Sequence, residues 1–311
     1  LQFESANPRN TAVNIRGIGA PLGLTNDGIE QGVGIYVDGV YFARSIGGML
    51  DAFDVGRIEV LRGPQGTLFG KNTIGGALKL VSRAPDQTVR SQATATVGSY
   101  DQVEGKLALS GPVSDTLALG IAAMGAARGG YVEDPVSNKE YNDKNTVAAR
   151  VSLAWTPTDR LRVDASADYT HDKSAMTVGQ PTSTLASAFG AILLPLPAIP
   201  TVYDFKTTTT PDLPNETRFE HWGTQATVSY ELSDALTFKS ITAYRNLDSD
   251  DFIDIDASAV KLGDVAVRVL AADKLVPILF GQFLGCAAAV VLVVVRRLVV
   301  VAVVCQVHVR L

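Results

Sequence analysis

The chain has 311 residues, a formal net charge of -5, 46% hydrophobic residues and only 19% charged ones. That mildly acidic balance gives no electrostatic footing on a phosphate backbone and excludes nucleic acid as the main partner. Cys286 and Cys305 are the two cysteines, both in the last part of the chain, a usage compatible with export and too sparse for a disulfide framework. Leu1-Gln-Phe-Glu-Ser-Ala lacks an initiating Met, a basic stretch and an apolar leader, so the sequence reads as starting inside a domain.

Residues 1–85 read as short strands and glycine turns. Val13–Gly17 alternates and stops at glycine, and Gly34–Val40 is a strand with an Asp-Gly turn signal near its end. Gly47–Val55 predicts a short helix or turn, followed by strands at Arg57–Leu61 and Ala77–Val81. The result is a small mixed α/β unit, with Ser82–Gln87 as a linker.

From residue 88 the texture changes to alternating segments of about ten residues, the length a tilted membrane-crossing strand needs. Val147, Val151, Leu153 and Trp155 alternate with Ala148, Arg150, Ser152 and Ala154. Leu161, Val163, Ala165, Ala167 and Tyr169 alternate with Arg162, Asp164, Ser166, Asp168 and Thr170. Val103, Leu107 and Leu109 oppose Glu104 and Lys106, while Ala226, Val228, Tyr230 and Leu232 oppose Gln225, Thr227, Ser229 and Glu231. About seven such strands fall between residues 88 and 250, too few to close around an internal domain, since plugged lumens go with about 22 strands.

Period two puts successive side chains on opposite faces, but a soluble sandwich with its apolar face inward alternates in the same way. Tight turns are predicted at Leu109–Thr116 and Thr156–Arg160, and long connections at Gly129–Lys144 and 172–217. Alternating short and long connections match a membrane barrel.

The alternation stops near Val260. Val276–Val295 is uncharged and long enough for a spanning helix. Its valine-heavy, uncapped text also fits a shifted reading frame in a GC-rich gene, so 257–311 is predicted to be an aberrant apolar tail, out of frame or non-native.

No catalytic set emerges. Gly66–Asn72 has Gln65 and Asn72 where a phosphate loop needs Gly and Ser or Thr. Gly17-Ile-Gly19 lacks the third glycine of a dinucleotide fingerprint. His171, His221 and His308 have no metal-ligand spacing, and His221 beside Trp222 reads as a loop or girdle residue. The acidic run Asp248–Asp256 reads as a solvated strand end. No enzyme activity, cofactor or bound metal is expected.

Five ordered motifs carry a resemblance: Asn14-Ile-Arg-Gly17, Tyr36-Val-Asp-Gly-Val40, Arg57-Ile-Glu-Val-Leu-Arg-Gly-Pro64, Leu68-Phe-Gly70 and Gly75-Gly-Ala-Leu78. They resemble the plug domain of TonB-dependent outer-membrane receptors, and the following strands are similar to the first barrel strands of that family. The resemblance implies a plug at 1–85, N-terminally truncated, and the first strands of an antiparallel transmembrane β-barrel at 86–256. It further implies active uptake of a ferric siderophore or similar scarce nutrient across the outer membrane of a Gram-negative bacterium. The partners implied are the TonB-ExbB-ExbD energy-coupling complex, outer-membrane lipid and a small-molecule or metal-chelate ligand. By position, Arg16, Tyr41, Phe42, Arg44 and Phe53 are the expected ligand contacts. Arg57, Glu59, Arg62, Gly63, Pro64, Gly70, Gly75 and Gly76 form the plug motif. Arg57, Glu59 and Arg62 are expected to face wall charges such as Glu104, Lys106, Arg150, Arg162 and Asp164 through weak, hydrated contacts. The rival readings are a soluble β-rich surface or adhesion protein and an enzyme on a β-barrel scaffold.

Overall fold

The computed structural model describes residues 1–5, 11–20, 30–42, 54–179, 204–209, 213–254, 264–280, 290–291 and 302–303. The N-terminal unit begins with a hairpin of β1 (Gln2–Ser5) and β2 (Thr11–Asn14). A four-stranded sheet follows, built from β3 (Val33–Val37), β4 (Val40–Phe42), β5 (Val55–Arg62) and β6 (Gly76–Ser82) in the order β4-β3-β6-β5. The β3–β4 turn is two residues, Asp38 and Gly39, with φ of 50° and 85°. Positive φ at both positions is what a two-residue turn matched to strand twist requires, and Asp-Gly supplies it at low cost. One helical turn, α1 (Gly66–Phe69), lies between β5 and β6. Gly76 has φ 143°, and a Cβ there would stand 2.2 Å from the Leu61 carbonyl oxygen, so only glycine fits. Of the expected helix or turn at Gly47–Val55, residues 47–53 lie outside the described residues.

The rest is one open antiparallel meander. Its long strands are β7 (Arg90–Gly98), β8 (Gln102–Ser114), β9 (Leu117–Arg128), β12 (Lys144–Thr158), β13 (Leu161–Ser174), β14 (Thr217–Ser233) and β15 (Leu236–Asp254). These are the seven strands expected between residue 88 and the end of the alternation. Next comes β16 (Asp264–Phe280), paired along β15, and the short β17 (Val290–Val291) and β18 (Ala302–Val303). The sheet therefore continues past residue 257 by backbone pairing. Its order ends at β7, which has β8 as its one neighbour among the described residues, so the sheet does not close.

The turns are tighter than the sequence predicts. β8 runs through Ser110-Gly-Pro-Val-Ser114 and leaves only Asp115 and Thr116 as the turn; Pro112 is accommodated where the register shifts against β9. β12 likewise runs to Thr158.

Alternation separates two faces. On β12, Val147, Val151 and Trp155 are 48%, 53% and 43% exposed, whereas Ala148 and Ala154 are each 6% exposed. On β9, Ala118, Ala122, Met124 and Ala126 are buried while Leu119 and Ile121 are exposed. On β14 and β15 the covered face buries Phe219, Ile241, Ala243 and Leu247 as well as polar residues, while on β8, β9 and β12 the more covered face is polar or small and the bare face apolar. This is the reverse of a soluble sandwich, whose apolar face packs inward. Trp222, paired with Tyr169 and tilted against Tyr244 (ring centroids 5.0 Å), marks one end of the apolar face. Trp155 and Tyr230 mark the other. Trp222 and Tyr230 lie eight residues apart on β14, about 27 Å along the strand, which suits an apolar band about 25 Å tall between aromatic girdles once tilt is counted.

The long connections at the far end are tied together. The loop after β9 holds a hairpin, β10 (Val132–Asp134) with β11 (Lys139–Tyr141). Glu133 N–H donates to the Phe205 carbonyl (2.9 Å) and Thr207 N–H to the Glu133 carbonyl (3.0 Å). Val132, Tyr141, Met176, Val178 and Leu213 form a small apolar core beneath. Asp134 is 1% exposed. Burial works to raise its pKa, but N–H groups of Val136, Ser137 and Thr209 and the Ser137 side chain prevail and hold it below the usual carboxylate value.

Three expectations follow. Val151→Arg places a charge at mid-band and lowers stability in phospholipid vesicles by about 2–4 kcal/mol, read from urea unfolding; Arg introduced at Ser152, on the covered face, tests a different environment and serves as the comparison. Gly76→Ala costs about 3 kcal/mol or more in plug stability, read in the same titration. Because the folded pKa of Asp134 is depressed, its contribution is present above about pH 4 and fades as pH falls through the folded value. The protection factor of the Thr209 amide, its exchange relative to the intrinsic rate at each pH, therefore falls on acidification, and Asp134→Asn removes that fall.

Candidate functional site: the plug and its seat on the wall

The centre of the plug sheet is an aromatic cluster. The Tyr36 hydroxyl donates to the Phe69 carbonyl (2.6 Å), and its ring lies 5.4 Å from Tyr41 and 5.1 Å from Phe69. Burial, with a smaller push from Tyr41, drives the Tyr36 phenol up to about 12, so it stays a neutral donor. Asn72 Nδ2 donates to the Tyr41 hydroxyl (3.0 Å), and Thr73, 1% exposed, donates to the Gly70 carbonyl (2.7 Å). The segment around α1 is thereby stitched onto β3 and β4.

The β3–β4 turn is the part of the plug that enters the wall. Asp38 Oδ1 accepts from the Ser82 N–H (2.7 Å), at the end of β6. Asp38 Oδ2 accepts from Arg150 Nη2 on β12 (2.6 Å) and from Gln225 Nε2 on β14 (3.3 Å). Gln225 Oε1 in turn accepts from Arg245 Nη2 on β15 (2.8 Å), whose other nitrogen binds Asp168 on β13. The Arg245 guanidinium lies 5.1 Å from the Phe42 ring centre, a cation–π contact, and the His221 ring is 6.0 Å from Phe42. Asp54, beside the linker, is pushed up by burial, an effect that Arg150 and Arg83 partly offset.

An apolar cluster runs through the same junction. Val13, Ile15, Val33, Ile35, Val40, Phe42, Leu78 and Leu80 of the plug pack with Ile241 and Ala243 of β15. The expectation of a plug held only by hydrated contacts is corrected here: the Arg150–Asp38 pair is 10% and 16% exposed at its two side chains, and apolar packing flanks it.

The expected partners of the wall charges are corrected too. Arg57 binds Glu59 (2.6 Å), and Lys79 binds Glu59 as well (2.5 Å), holding the Glu59 carboxyl low, chiefly through the Lys79 hydrogen bond. Lys106 pairs with Glu104 and Arg162 with Asp164, each at 2.7 Å along one strand. β5 is the edge of the plug sheet, whereas the β3–β4 turn reaches the wall, so Arg150 meets Asp38 rather than a β5 residue.

Other expected site residues fall in several places. Arg16 is exposed, at φ 55°, in the turn closed by Ile15 and Ile18. Tyr41 is half-buried in β4, and Phe42 is buried at the wall. Arg44 and Phe53 lie outside the described residues. Arg62 and Pro64 are exposed; Gly63 (φ 85°) donates to the Gly75 carbonyl (3.1 Å), and Gly70 (φ 78°) closes α1. A Cβ on Gly75 would meet Ile18 at 2.9 Å. His221, expected in a loop or girdle, is instead 3% exposed on the covered face. Asp251, in the acidic run expected to be solvated, is 1% exposed. Sequence reasoning missed Asp38, Gln225, Arg245 and Asp168 as a set. Their one signal is that each is the polar member of an alternating segment or a turn.

The family model of the TonB-dependent Receptor Plug Domain matches residues 1–77. The pesticin receptor of Yersinia pestis is 37% identical over 120 residues, covering 39% of this chain and 17% of that protein. The catecholate siderophore receptor Fiu of Escherichia coli K12 is 27% identical over 235 residues, covering 72% of this chain and 28% of Fiu. The chain thus spans well under a third of the length of these relatives. Among solved structures, the ferric yersiniabactin uptake receptor FyuA of Yersinia pestis superposes with a TM-score of 0.65 at 22% identity, over 81% of this chain and 37% of that one. FpvA of P. aeruginosa, bound to a heterologous pyoverdine, gives 0.63 at 15% identity, over 92% and 36%; at such identities the likeness is one of fold. Residues 1–77 thus match the TonB-dependent Receptor Plug Domain, and with the open antiparallel wall that follows them they share the fold of these solved receptors.

Proposed function

We propose that this chain is the plug and opening wall of a receptor that captures a ferric siderophore or similar scarce chelate and imports it across the outer membrane of a Gram-negative bacterium. The observation that carries the reading is the sidedness of the wall: a bare apolar face between aromatic girdles outside, and the plug seated on the largely polar face within. The names of the relatives, which include catecholate, yersiniabactin and pyoverdine receptors, support the choice of an iron chelate.

No covalent chemistry is involved. Arg16, Tyr41, Phe42, Arg44 and Phe53 are the proposed ligand contacts, since Arg and Tyr offer fixed donors and flat faces to a bulky polar chelate. Arg16 is exposed, while Phe42 is reached only when the plug shifts. The TonB-ExbB-ExbD complex supplies the pull from the inner-membrane proton gradient, and lipid covers Val147, Val151 and their neighbours. The division at 85/86 and 256/257 belongs to the same proposal, with a mixed α/β plug and with 257–311 foreign to the barrel. Valine-rich text pairs readily as strand whatever its frame. Reading the parent DNA in all frames tests that part.

The function is tested by expressing the complete receptor in a strain lacking its own siderophore receptors and supplying radio-iron on a catecholate siderophore, yersiniabactin or pyoverdine. Uptake of at least one complex, stopped by a proton-gradient uncoupler, is expected. Import of none, with extraction from cells without detergent, overturns it.

A further inference from the structure

We infer, resting on the transport reading above, that Asp168 is a waiting second partner for Arg150, so that unseating the plug exchanges one ion pair for another instead of baring a buried charge.

Four residues stand in one row across four neighbouring wall strands. Arg150 on β12 is directly opposite Asp168 on β13, Asp168 is opposite Gly223 on β14, and Gly223 is opposite Arg245 on β15. Each of these strands is paired on both sides, so none of them is an edge of the sheet. Directly opposed residues bring their Cβ atoms to about 5 Å, and opposite charges at such positions favour pairing. Arg150 and Asp168 are instead each taken by another residue. Arg150 Nη2 donates to Asp38 of the plug (2.6 Å), and Asp168 is bound from two strands away by Arg245 Nη1, 2.6 Å from its Oδ2.

Glycine at 223 makes the long reach possible. A Cβ there would stand 2.9 Å from Arg245 Cζ and closer still to Cδ, so the guanidinium crosses β14 through space that any other residue would fill. The same guanidinium donates to Gln225 Oε1 (2.8 Å) and lies 5.1 Å from the Phe42 ring centre. Arg150 already leans toward β13. The Nη2 that binds Asp38 also donates to Ser166 Oγ (3.0 Å), two residues from Asp168 and on the same face, while its buried Nε has no hydrogen-bond partner. His221 Nδ1, the next neighbour of Asp168, stands 3.6 Å away, beyond hydrogen-bond reach.

Two carboxylates, Asp38 and Asp168, thus meet two guanidiniums, Arg150 and Arg245, with side chains no more than 16% exposed. Taking Asp38 away from a fixed Arg150 would strand a buried cation, a costly state. Asp168 removes that cost. Its two oxygens present about four acceptor sites, enough for Arg150 beside it and Arg245 beyond Gly223 together. Phe42 leaves with the same hairpin, which releases Arg245 from the ring and lets it share. Asp38 and Asp168 therefore compete for Arg150, and the seat opens without leaving a bare charge.

Two experiments on the complete receptor test this. The first is a crystal structure of Asp38→Ala. Arg150 within hydrogen-bond distance of Asp168 is expected; Arg150 still facing the plug, with Asp168 bound by Arg245 alone, overturns the exchange. Should that variant not reach the membrane, Gly223→Ala takes its place. It evicts Arg245, so Arg150 is expected in contact with Asp168, and an Asp168 that stays apart from Arg150 overturns the exchange. The second experiment uses Asp168→Asn combined with Arg245→Gln, which removes the waiting partner and one compensating charge and leaves Asp38 and Arg150 in place. Binding of the ferric catecholate, yersiniabactin or pyoverdine complex that the parent takes up is expected to persist, with radio-iron import about tenfold slower. Import at the parent rate, or binding lost in step with import, overturns the inference. A parent receptor that imports no iron complex refutes the transport reading, and the crystal structure still judges the exchange.

Discussion

Each long strand of this protein stands between two solvents, and its side chains change solvent at every residue. Backbone groups inside hydrocarbon have to find partners within the sheet, and β9 and β12, of twelve and fifteen residues, pair with each other along their length. Side chains then divide without compromise. On β12, Val147, Val151 and Trp155 lie on the exposed apolar face, while Thr146, Arg150 and Ser152 lie on the covered one. The small inward residues of β9, Ala118, Gly120, Ala122 and Ala126, leave room beneath the N-terminal unit.

The seat of the plug combines two interactions that are usually separate. An ion pair in water is worth little, and a buried one repays its desolvation only when its remaining donors and acceptors are satisfied. Asp38 meets that condition with three donors on two oxygens. Arg150 also donates from Nη2 to Ser166 (3.0 Å), while its buried Nε has no hydrogen-bond partner, so the condition is met at Asp38 and only in part at Arg150. The apolar residues beside the pair exclude water and keep the local dielectric low, which strengthens these bonds. The same arrangement gives the plug one orientation, because a turn with two positive φ values presents its carboxylate in one direction.

Much of this architecture was legible in the sequence. The seven wall strands, the division of their side chains between two faces and the plug strands follow from period two and from glycine or Asp-Gly punctuation; which face is covered does not, since a soluble sandwich alternates in the same way. Turn boundaries were not legible: Pro112 and Pro157 read as breakers, yet both lie within strands, Pro112 where β8 shifts register and Pro157 where β12 shifts against β13. Nor was the pairing of charges. Alternation says that Arg150, Asp168, Gln225 and Arg245 share a face, but it carries no information on which plug residue will oppose them. That depends on which edge of the plug sheet approaches the wall, a tertiary fact. The burial of His221 was hidden for the same reason, since its neighbour Trp222 correctly signals a girdle and its own position lies one residue, hence one face, away.

The bare rim of β7 has a consequence for where this sheet can reside. All nine of its residues are exposed, and β8 is its only neighbour among the described residues. Half of its N–H and C=O groups point away from β8, and each such group left without a partner in hydrocarbon costs several kcal/mol. Summed along the rim, the penalty is on the order of tens of kcal/mol. Such an edge is a ready template on which a further strand pairs.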